Sequence, residues 1–343
     1  MTSKTILFTI VFSSVFLFSC HKTENVPLKS EISVCFTGDV MLARGVKNRV
    51  RKNGKEFLFE KIQPVLDRFN YRFINLECPI TPLAHLPDKP YSFRADSNFV
   101  GILCTARITH ATLANNHIND QTTEGAQDTH DILQENGIVP IGLKRKDATY
   151  CNPAEINVGR RMLAIFAALG IDMKSSNIWY SGDSVFVNGI KQYREKNPSA
   201  FIVCYVHWGT EYLKFPSHDQ VQSARTLIDA GADIIIGHHP HVIESIDCYK
   251  GKLILYSLGN LIFDQHDAET MKGIMAGLSF RDTTVEAEII PYGIKDFRPV
   301  PITAGERAPF KEALLSISRN ISLDEKIDGW SVGKRPSLIS AKN

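Results

Sequence analysis

Polar side chains that can bind a metal ion or move a proton recur directly after apolar runs with the composition of β-strands. Three of the chain's eleven histidines fall between Gly237 and His241, immediately after one such run. Other polar residues follow further runs in the same way: Asp39, Glu77, Asn115, Asn116, His117, His207 and Asn260, with Asp120 three residues after His117. Carboxylate oxygen, amide oxygen and imidazole nitrogen are ligands for divalent cations such as Mn²⁺, Fe²⁺ and Zn²⁺. The sequence therefore predicts one or two divalent metal ions. Because no thiolate belongs to the set, positions open to water and substrate are expected rather than a structural zinc site.

Each of these residues alone has an ordinary structural interpretation. Gly38-Asp39 and Asn115-Asn116 can form turns, and Asp120 can cap the helix that follows it. His207 beside Trp208 can be a half-buried histidine packed on an indole ring. The histidine cluster is harder to explain in this way, and the whole set requires five such coincidences. The sequence therefore favours a functional site.

Alternating strands and helices must position these residues. Short apolar runs bounded by turn residues predict buried strands at 33–37, 73–76, 108–113, 163–168, 201–206, 233–236 and 253–256. Helical patterns lie at 56–69, 125–135 and 221–230, the last with Ser217 and Gln220 spaced as a capping box. Antiparallel ribbons are expected at 274–280 and 285–290. This order predicts an α/β fold, in which the carboxyl ends of strands form the ligand crevice and distant loops converge.

The first thirty residues differ from the rest of the chain. Lys4 precedes an apolar run at 6–18, shorter than the roughly 20 residues of a membrane-spanning helix and typical of a signal peptide. The run ends in Leu17-Phe18-Ser19-Cys20, which resembles the lipobox of bacterial lipoproteins. We expect a lipoprotein signal peptide at 1–19, lipidation at Cys20 and an exported, membrane-anchored protein; an ordinary cleaved signal peptide is the alternative. Residues 20–30 would be a tether, 31–310 the main domain and 311–343 a polar C-terminal tail.

The bulk composition excludes some classes of protein. With 43% hydrophobic and 22% charged residues, the chain can build a substantial core and is not disordered. The 39 basic residues nearly balance the 37 acidic ones, so nothing indicates a nucleic-acid-binding surface. Apart from Cys20, the six cysteines form no C-x-x-C pair or compact framework, and we expect mostly buried free thiols.

Several motifs occur in order between about residue 31 and residue 266. They are Phe36-Thr37-Gly38-Asp39-Val40-Met41-Leu42, Asn75-Leu76-Glu77 with Thr81, Phe93-Arg94-Ala95-Asp96, Ala114-Asn115-Asn116-His117 with Asp120, His207-Trp208-Gly209 with Glu211-Tyr212, Gly237-His238-His239-Pro240-His241 and Tyr256-Ser257-Leu258-Gly259-Asn260. Together they resemble the CapA family of poly-γ-glutamate capsule biosynthesis proteins. That family is similar in turn to calcineurin-like metallophosphoesterases. The resemblance implies a layered β-sandwich flanked by helices, with a two-metal centre at the strand ends.

The resemblance also implies a role for each matching residue. Metal ligands are expected at Asp39, Glu77, Asn116, His207, His239 and His241, with Glu77 as a bridging carboxylate. Asp39 and His117 would be catalytic, His117 as the acid that protonates a leaving group. Candidate substrate contacts are Arg44, Arg94 and Glu211, whereas His238 has no assigned role.

Three positions depart from the family pattern and leave two hypotheses open. Met41 stands where phosphoesterases place a histidine ligand, Gln121 lies where a glycine is common nearby, and Glu244 replaces an expected glutamine. The first hypothesis is a metal-dependent hydrolase or transferase. It would act on an exported anionic polymer such as poly-γ-glutamate, or on a phosphoester, and its partners would be capsule synthesis and export proteins. The second is a non-catalytic, membrane-tethered assembly protein that binds polymer through a degenerate metal centre, and Met41 favours it.

Overall fold

The computed structural model describes residues 31–84, 91–144, 148, 151–171, 175–281 and 284–334. The expected signal peptide, the Cys20 lipidation site and the tether lie outside these residues. In the part of the chain that is described, no helix is both long enough and apolar enough to cross a membrane.

Short strands separated by helices make up most of the described chain. The strands are β1 (Ile32–Val40), β2 (Tyr71–Leu76), β3 (His110–Thr112), β4 (Val139–Ile141), β5 (Ala154–Val158), β6 (Arg161–Gly170), β7 (Phe201–Trp208), β8 (Ile234–His238), β9 (Ile246–Tyr249), β10 (Lys252–Leu255), β11 (Asn260–Ile262), β12 (Lys272–Arg281), β13 (Thr284–Lys295), β14 (Arg298–Pro301), β15 (Ile321–Glu325) and β16 (Trp330–Lys334). The α-helices are α1 (Arg44–Asn53), α2 (Gln63–Leu66), α3 (Val100–Thr105), α4 (Thr122–Glu135), α5 (Ser184–Lys196), α6 (His218–Asp229) and α7 (Ala304–Ile317).

Within the described residues these strands form two sheets. The larger sheet has the order β15-β16-β13-β12-β1-β2-β3-β4, with β11 also paired to β1 and β14 to β13. Strands β1 to β4 run parallel, whereas β12 joins β1 antiparallel. The smaller sheet has the order β5-β6-β7-β8-β10-β9, and its four central strands are parallel. The expected α/β fold with two layered sheets is confirmed.

The alternating side chains of β7 show how the layers are held together. Val203 and Tyr205 belong to the core between the two sheets, where the Tyr205 ring lies 5.9 Å from the Phe36 ring of β1. Cys204 and Val206 point to the opposite face and belong to a second core under α5 and α6. Successive side chains of a strand point to opposite faces, so a strand covered on both faces is apolar throughout. This explains why the central strands are continuous apolar runs in the sequence.

Two glycines allow the strand ends that carry the polar residues to pack closely. A Cβ atom at Gly38, just before Asp39, would lie 2.0 Å from the Gly259 carbonyl oxygen. A Cβ atom at Gly237, just before His238, would lie 2.0 Å from the Tyr256 carbonyl oxygen. Both distances are far inside van der Waals contact, so only glycine fits at either position.

Two sequence expectations differ from the structure. The helical pattern at 56–69 forms a 3₁₀ turn, Glu56–Leu58, and the four-residue helix α2, because Pro64 cannot continue a helix and is tolerated only in the first turn. The boundary expected at 310/311 falls inside α7, and β15 and β16 continue the larger sheet beyond β13. Buried Trp330, Ile321 and Leu323 supply the apolar side chains that attach these strands to the core. Residues 311–334 are therefore part of the folded domain rather than a tail.

The cysteines and the N-terminus of α6 agree with the sequence analysis, whereas the N-terminus of α4 does not bear out the interpretation of Asp120 as a cap. The six described cysteines are all free, and four of them are buried. Helix α6 begins with the expected capping box between Ser217 and Gln220. Helix α4 is not capped by Asp120, because its N-cap is Gln121 and the Asp120 carboxylate has other partners.

We expect Gly38→Ala to lower the free energy of unfolding by about 2 kcal/mol, because the added methyl group must separate β1 from the Gly259 backbone. Urea denaturation followed by circular dichroism measures the change. Gly182→Ala is the matched control, since its Cβ would meet no atom within 4 Å, and its stability should stay within about 0.5 kcal/mol of the parent. Equal stability of the two variants would contradict the close packing at Gly38.

Candidate metal centre

Strand ends from both sheets meet at one place and bring the expected metal ligands together. Asp39 lies at the end of β1 and Glu77 directly after β2, while His207 lies near the end of β7. His239 and His241 follow β8. The potential ligand atoms of Glu77, His207 and His239 lie within 4.8 Å of one another, and so do those of Asp39, Glu77 and His241. Because the two groups share Glu77, this carboxylate is placed as a bridging ligand would be.

The Glu77 carboxylate is the clearest indication that a cation belongs in this cluster. It is fully buried, and neither of its oxygens has a hydrogen-bond partner among the described residues. Its Oε1 atom lies 3.7 Å from His207 Nε2 and 3.8 Å from His241 Nε2. Burial, reinforced by the nearby Asp39 charge, raises the pKa of Glu77 well above its ordinary value. A buried carboxylate that faces imidazole nitrogens without bonding to them fits a divalent cation between these groups.

Asp39 is held in its ionised form by its neighbours. Its Oδ1 atom accepts a hydrogen bond from Asn75 Nδ2 at 2.8 Å and lies 3.0 Å from His238 Nδ1. Its Oδ2 atom accepts from the His239 amide and lies 3.4 Å from His241 Nδ1. Burial alone would raise the pKa of Asp39, but the contacts with His238 and His241 outweigh it and hold the pKa well below its ordinary value.

His207 and Asn116 come from different sheets and meet at the edge of the cluster. His207 Nε2 lies 2.9 Å from Asn116 Oδ1, and His207 Nδ1 lies 3.0 Å from Asn75 Nδ2. These two contacts fix the plane of the ring. Burial lowers the pKa of His207 well below its ordinary value, which keeps the imidazole neutral, and a neutral imidazole is the form that binds a metal.

Backbone strain is concentrated around the cluster. Arg44, Tyr212, His239 and His241 all have φ values between 48° and 97°, the left-handed region that favours glycine. Such conformations cost on the order of 1–3 kcal/mol each and are typical of functional sites. His239 also has a buried Nδ1 atom without a partner among the described residues, and burial lowers its pKa to about 3. The chain therefore holds His239 and His241 toward the cluster at a cost in backbone energy.

His117 is placed beside the cluster by three contacts. Its Nδ1 atom lies 2.8 Å from Asp120 Oδ2, and its Nε2 atom lies 4.0 Å from Glu77 Oε1. The Phe93 ring stacks on the imidazole with 4.0 Å between ring centroids, and the Phe93 amide donates to the same Asp120 oxygen. A histidine oriented at Nδ1 by a carboxylate can exchange a proton at Nε2.

A small cavity of about 200 Å³ opens onto His117 and His241. The predicted substrate contacts Arg44 and Glu211 both line it, together with Tyr212. An ion pair with Asp264 fixes the Arg44 guanidinium, which also lies 4.7 Å from the centroid of the Phe93 ring. A fixed guanidinium at the entrance can bind a carboxylate or a phosphate.

Arg94, the third predicted substrate contact, is not brought to this cavity. Its guanidinium donates to the Thr81 carbonyl at 3.2 Å and to the Asp96 carboxylate at 3.1 Å. Adjacent side chains of an extended segment point to opposite sides. Because Phe93 packs on His117, the neighbouring Arg94 points away from the centre.

The three departures from the family pattern have separate structural consequences. Met41 is fully buried in the larger hydrophobic core, where its Sδ atom accepts a hydrogen bond from the Ala43 amide at 3.0 Å. Gln121 is buried and donates to the Phe93 carbonyl, so it supports the residue that packs on His117. Burial raises the pKa of Glu244 to about 8, and its carboxyl accepts a hydrogen bond from Gln220 at 2.7 Å.

Three site residues escaped assignment from the sequence. Asn75 connects Asp39 to His207, and Asn260 Oδ1 lies 3.0 Å from His241 Nδ1. Phe93 packs on His117. Asn260 could have been assigned, since it follows a predicted strand, whereas Asn75 lies inside β2 and Phe93 is an apolar residue in a segment without periodicity.

Comparison with known proteins gives relatives along most of the chain. Residues 33–265 match the family model described as bacterial capsule synthesis protein PGA_cap. The capsule biosynthesis protein CapA of Bacillus anthracis is 31% identical over 308 residues, covering 83% of this chain and 74% of the relative. The PGA biosynthesis protein CapA of Bacillus subtilis (strain 168) is 30% identical over 309 residues, covering 85% of this chain and 81% of the relative.

Among solved structures, a novel phosphatase from Mycoplasma pneumoniae matches at 12% identity and a TM-score of 0.47, covering 78% of this chain and 96% of that one. The match to the family model extends over the strand ends that build the centre, among them Asp39, Glu77, His117, His207 and His241. This chain therefore belongs to the PGA_cap family of bacterial capsule synthesis proteins.

Proposed function

We propose that this protein is a metal-dependent hydrolase or transferase that acts on an anionic polymer or a phosphoester during capsule synthesis. The observation that carries the proposal is the buried Glu77 carboxylate, which has no hydrogen-bond partner in the described chain and faces His207 and His241. The Bacillus relatives are named for capsule and PGA biosynthesis, which favours poly-γ-glutamate as the polymer and the capsule synthesis and export proteins as partners.

The residues of the chain divide the chemistry between them. Asp39, Glu77, Asn116, His207, His239 and His241 would hold one or two divalent cations. A cation held there would lower the pKa of water toward neutrality and would neutralise charge that develops on the reacting group. Arg44, fixed by Asp264 and Phe93, binds the anionic group of the substrate at the entrance. His117, oriented by Asp120, protonates the leaving atom from Nε2.

A non-catalytic assembly protein is the alternative function, and Met41 is the observation that favours it. The position that supplies a histidine ligand in phosphoesterases is here a methionine buried in the core. A centre with one weakened metal position could bind polymer carboxylates without turning them over. Metal content and activity must therefore be tested separately.

Glu77→Gln tests the metal centre. We expect the variant to bind Mn²⁺ or Zn²⁺ at least tenfold more weakly than the parent, because it replaces a charged shared ligand with a neutral amide. Mass spectrometry of the purified protein gives the metal content, and calorimetric titration gives the affinity. Glu244→Gln is the matched control, since Glu244 is equally buried but contacts Gln220 instead. Equal metal binding by parent and Glu77→Gln would refute the assigned centre.

His117→Gln tests catalysis. Loss of the proton donor should reduce turnover about 10²- to 10⁴-fold with little change in metal content. Bis-(p-nitrophenyl) phosphate and γ-glutamyl oligomers are the substrates. Arg94→Ala serves as the control and should retain activity, because Arg94 is held by Thr81 and Asp96. A metal-loaded parent that hydrolyses neither substrate would support the assembly protein.

The same proposal places the protein outside the cytoplasm, attached to a membrane through a lipid on Cys20. The apolar run at 6–18 followed by Ser19-Cys20 supports this location. In a bacterial host, we expect Cys20→Ser to abolish labelling by radioactive palmitate and to shift the protein from the membrane fraction to the soluble exported fraction. Unchanged labelling and fractionation would exclude lipidation at Cys20.

A further inference from the structure

A second and larger groove lies at the carboxyl ends of β6 and β7. It has a volume of about 1270 Å³. Gly170, the last residue of β6, and Ile171 line it, as do Trp208, Gly209 and Thr210, which follow His207 of β7. It shares none of its lining residues with the small cavity at His117. The groove is therefore separate from the small cavity. Its lining includes Trp208, the residue directly after the predicted metal ligand His207.

The groove is lined mainly by uncharged hydrogen-bonding groups. Five serines, two threonines and two glutamines contribute to its wall, which are Ser175, Ser176, Ser181, Ser217, Ser223, Thr210, Thr226, Gln220 and Gln222. The buried Ser223 hydroxyl has no hydrogen-bond partner among the described residues. Tyr180 also lines the groove, and its hydroxyl accepts a hydrogen bond from the Ser175 amide at 2.7 Å. The Gln220 amide is already bonded to Ser217 and Glu244. The groups open to a ligand are those of the exposed residues Ser176, Thr210 and Gln222, next to the Tyr180 side chain.

The charges of the lining oppose an anionic ligand. None of the described residues that line the groove is a lysine, arginine or histidine, whereas Asp183 and Asp219 both line it. These two carboxylates lie at the N-termini of α5 and α6. Each helix N-terminus contributes about half a positive charge. The two carboxylates and the two helix N-termini together therefore carry about one negative charge. A polymer with one carboxylate per unit would be repelled here, while a neutral ligand would not.

We propose that this groove binds a neutral carbohydrate chain. Hydroxyl and amide side chains exchange hydrogen bonds with sugar hydroxyls, and an aromatic ring packs on the apolar C–H face of a sugar. The inference goes beyond the proposed function, since it assigns a second ligand class to a site outside the metal centre. A glycan in the groove would lie alongside the segment that follows His207.

Gly182 allows the groove to be filled without disturbing the fold. It lines the groove, and a Cβ atom there would meet no other atom within 4 Å. A side chain at this position starts in open space on the groove wall, so we expect Gly182→Phe to fill part of the groove. Gly305→Phe is the matched control, because Gly305 is exposed, has equally open space at its Cβ and does not line this groove.

The test measures binding of chitotetraose, cellotetraose, maltotetraose and a γ-glutamate oligomer to the full chain by saturation-transfer NMR and calorimetry. At least one neutral tetrasaccharide should bind, Gly182→Phe should weaken that binding at least tenfold, and Gly305→Phe should leave it unchanged. Gln222→Ala should weaken it about threefold, as expected for loss of one hydrogen bond from this exposed lining residue. Melting curves confirm that each variant is folded.

The outcomes separate this inference from the proposed function. Glycan binding should persist in Glu77→Gln, because the groove and the small cavity share no lining residue. Binding of none of the three sugars, equal binding by the two phenylalanine variants, or Gly182-dependent binding of the γ-glutamate oligomer alone would each overturn the carbohydrate assignment. None of these results would bear on metal content or hydrolysis.

Discussion

The burial of the Glu77 carboxyl group without a hydrogen-bond donor is the constraint on which the centre depends. A carboxylate removed from water is unfavourable by several kcal/mol unless a cation or hydrogen-bond donors compensate for it. The described chain supplies no hydrogen-bond donors to Glu77. The imidazoles of His207 and His239 lie near it, and burial keeps both of them neutral. Asp39, in contrast, is fully bonded. One carboxylate of the cluster is therefore stabilised as an anion by the protein itself, whereas the other has no protein partner and suits a bound cation.

The cluster depends on the packing of the two sheets, because it takes groups from both of them. Asp39 and Glu77 come from the larger sheet, and His207 and His239 come from the smaller one. The Tyr205 hydroxyl donates to the Thr37 carbonyl at 3.1 Å, and Asn75 contacts both Asp39 and His207. Packing of the sheets and assembly of the centre are thus one event, so a displacement between the layers would separate the ligands.

The sequence predicted much of this and failed in places with clear physical causes. Strand ends and their polar residues were predictable because β-branched runs and turn residues are local signals, and convergence follows from the geometry of parallel strands. Arg94 was expected at the substrate cavity but does not line it, because the direction of a side chain in an irregular segment depends on how its neighbours pack. In this segment Phe93 packs on His117, and Arg94 points the other way. Asn75 was missed because its role arises only when β2 lies beside β1 and faces β7. The segment after residue 310 appeared polar because β15 and β16 bury few side chains, among them Trp330.

The outer strands of the larger sheet limit how this protein can associate with itself. At one edge β4 has only three residues, and its central residue, Pro140, has no amide hydrogen to offer another strand. At the other edge β15 ends in Asp324 and Glu325, whose charges disfavour an identical strand beside them. Short or charged edges are poor templates for further pairing, so the sheet ends within one molecule. Growth of the larger sheet by edge-to-edge pairing between copies of the chain is thus disfavoured.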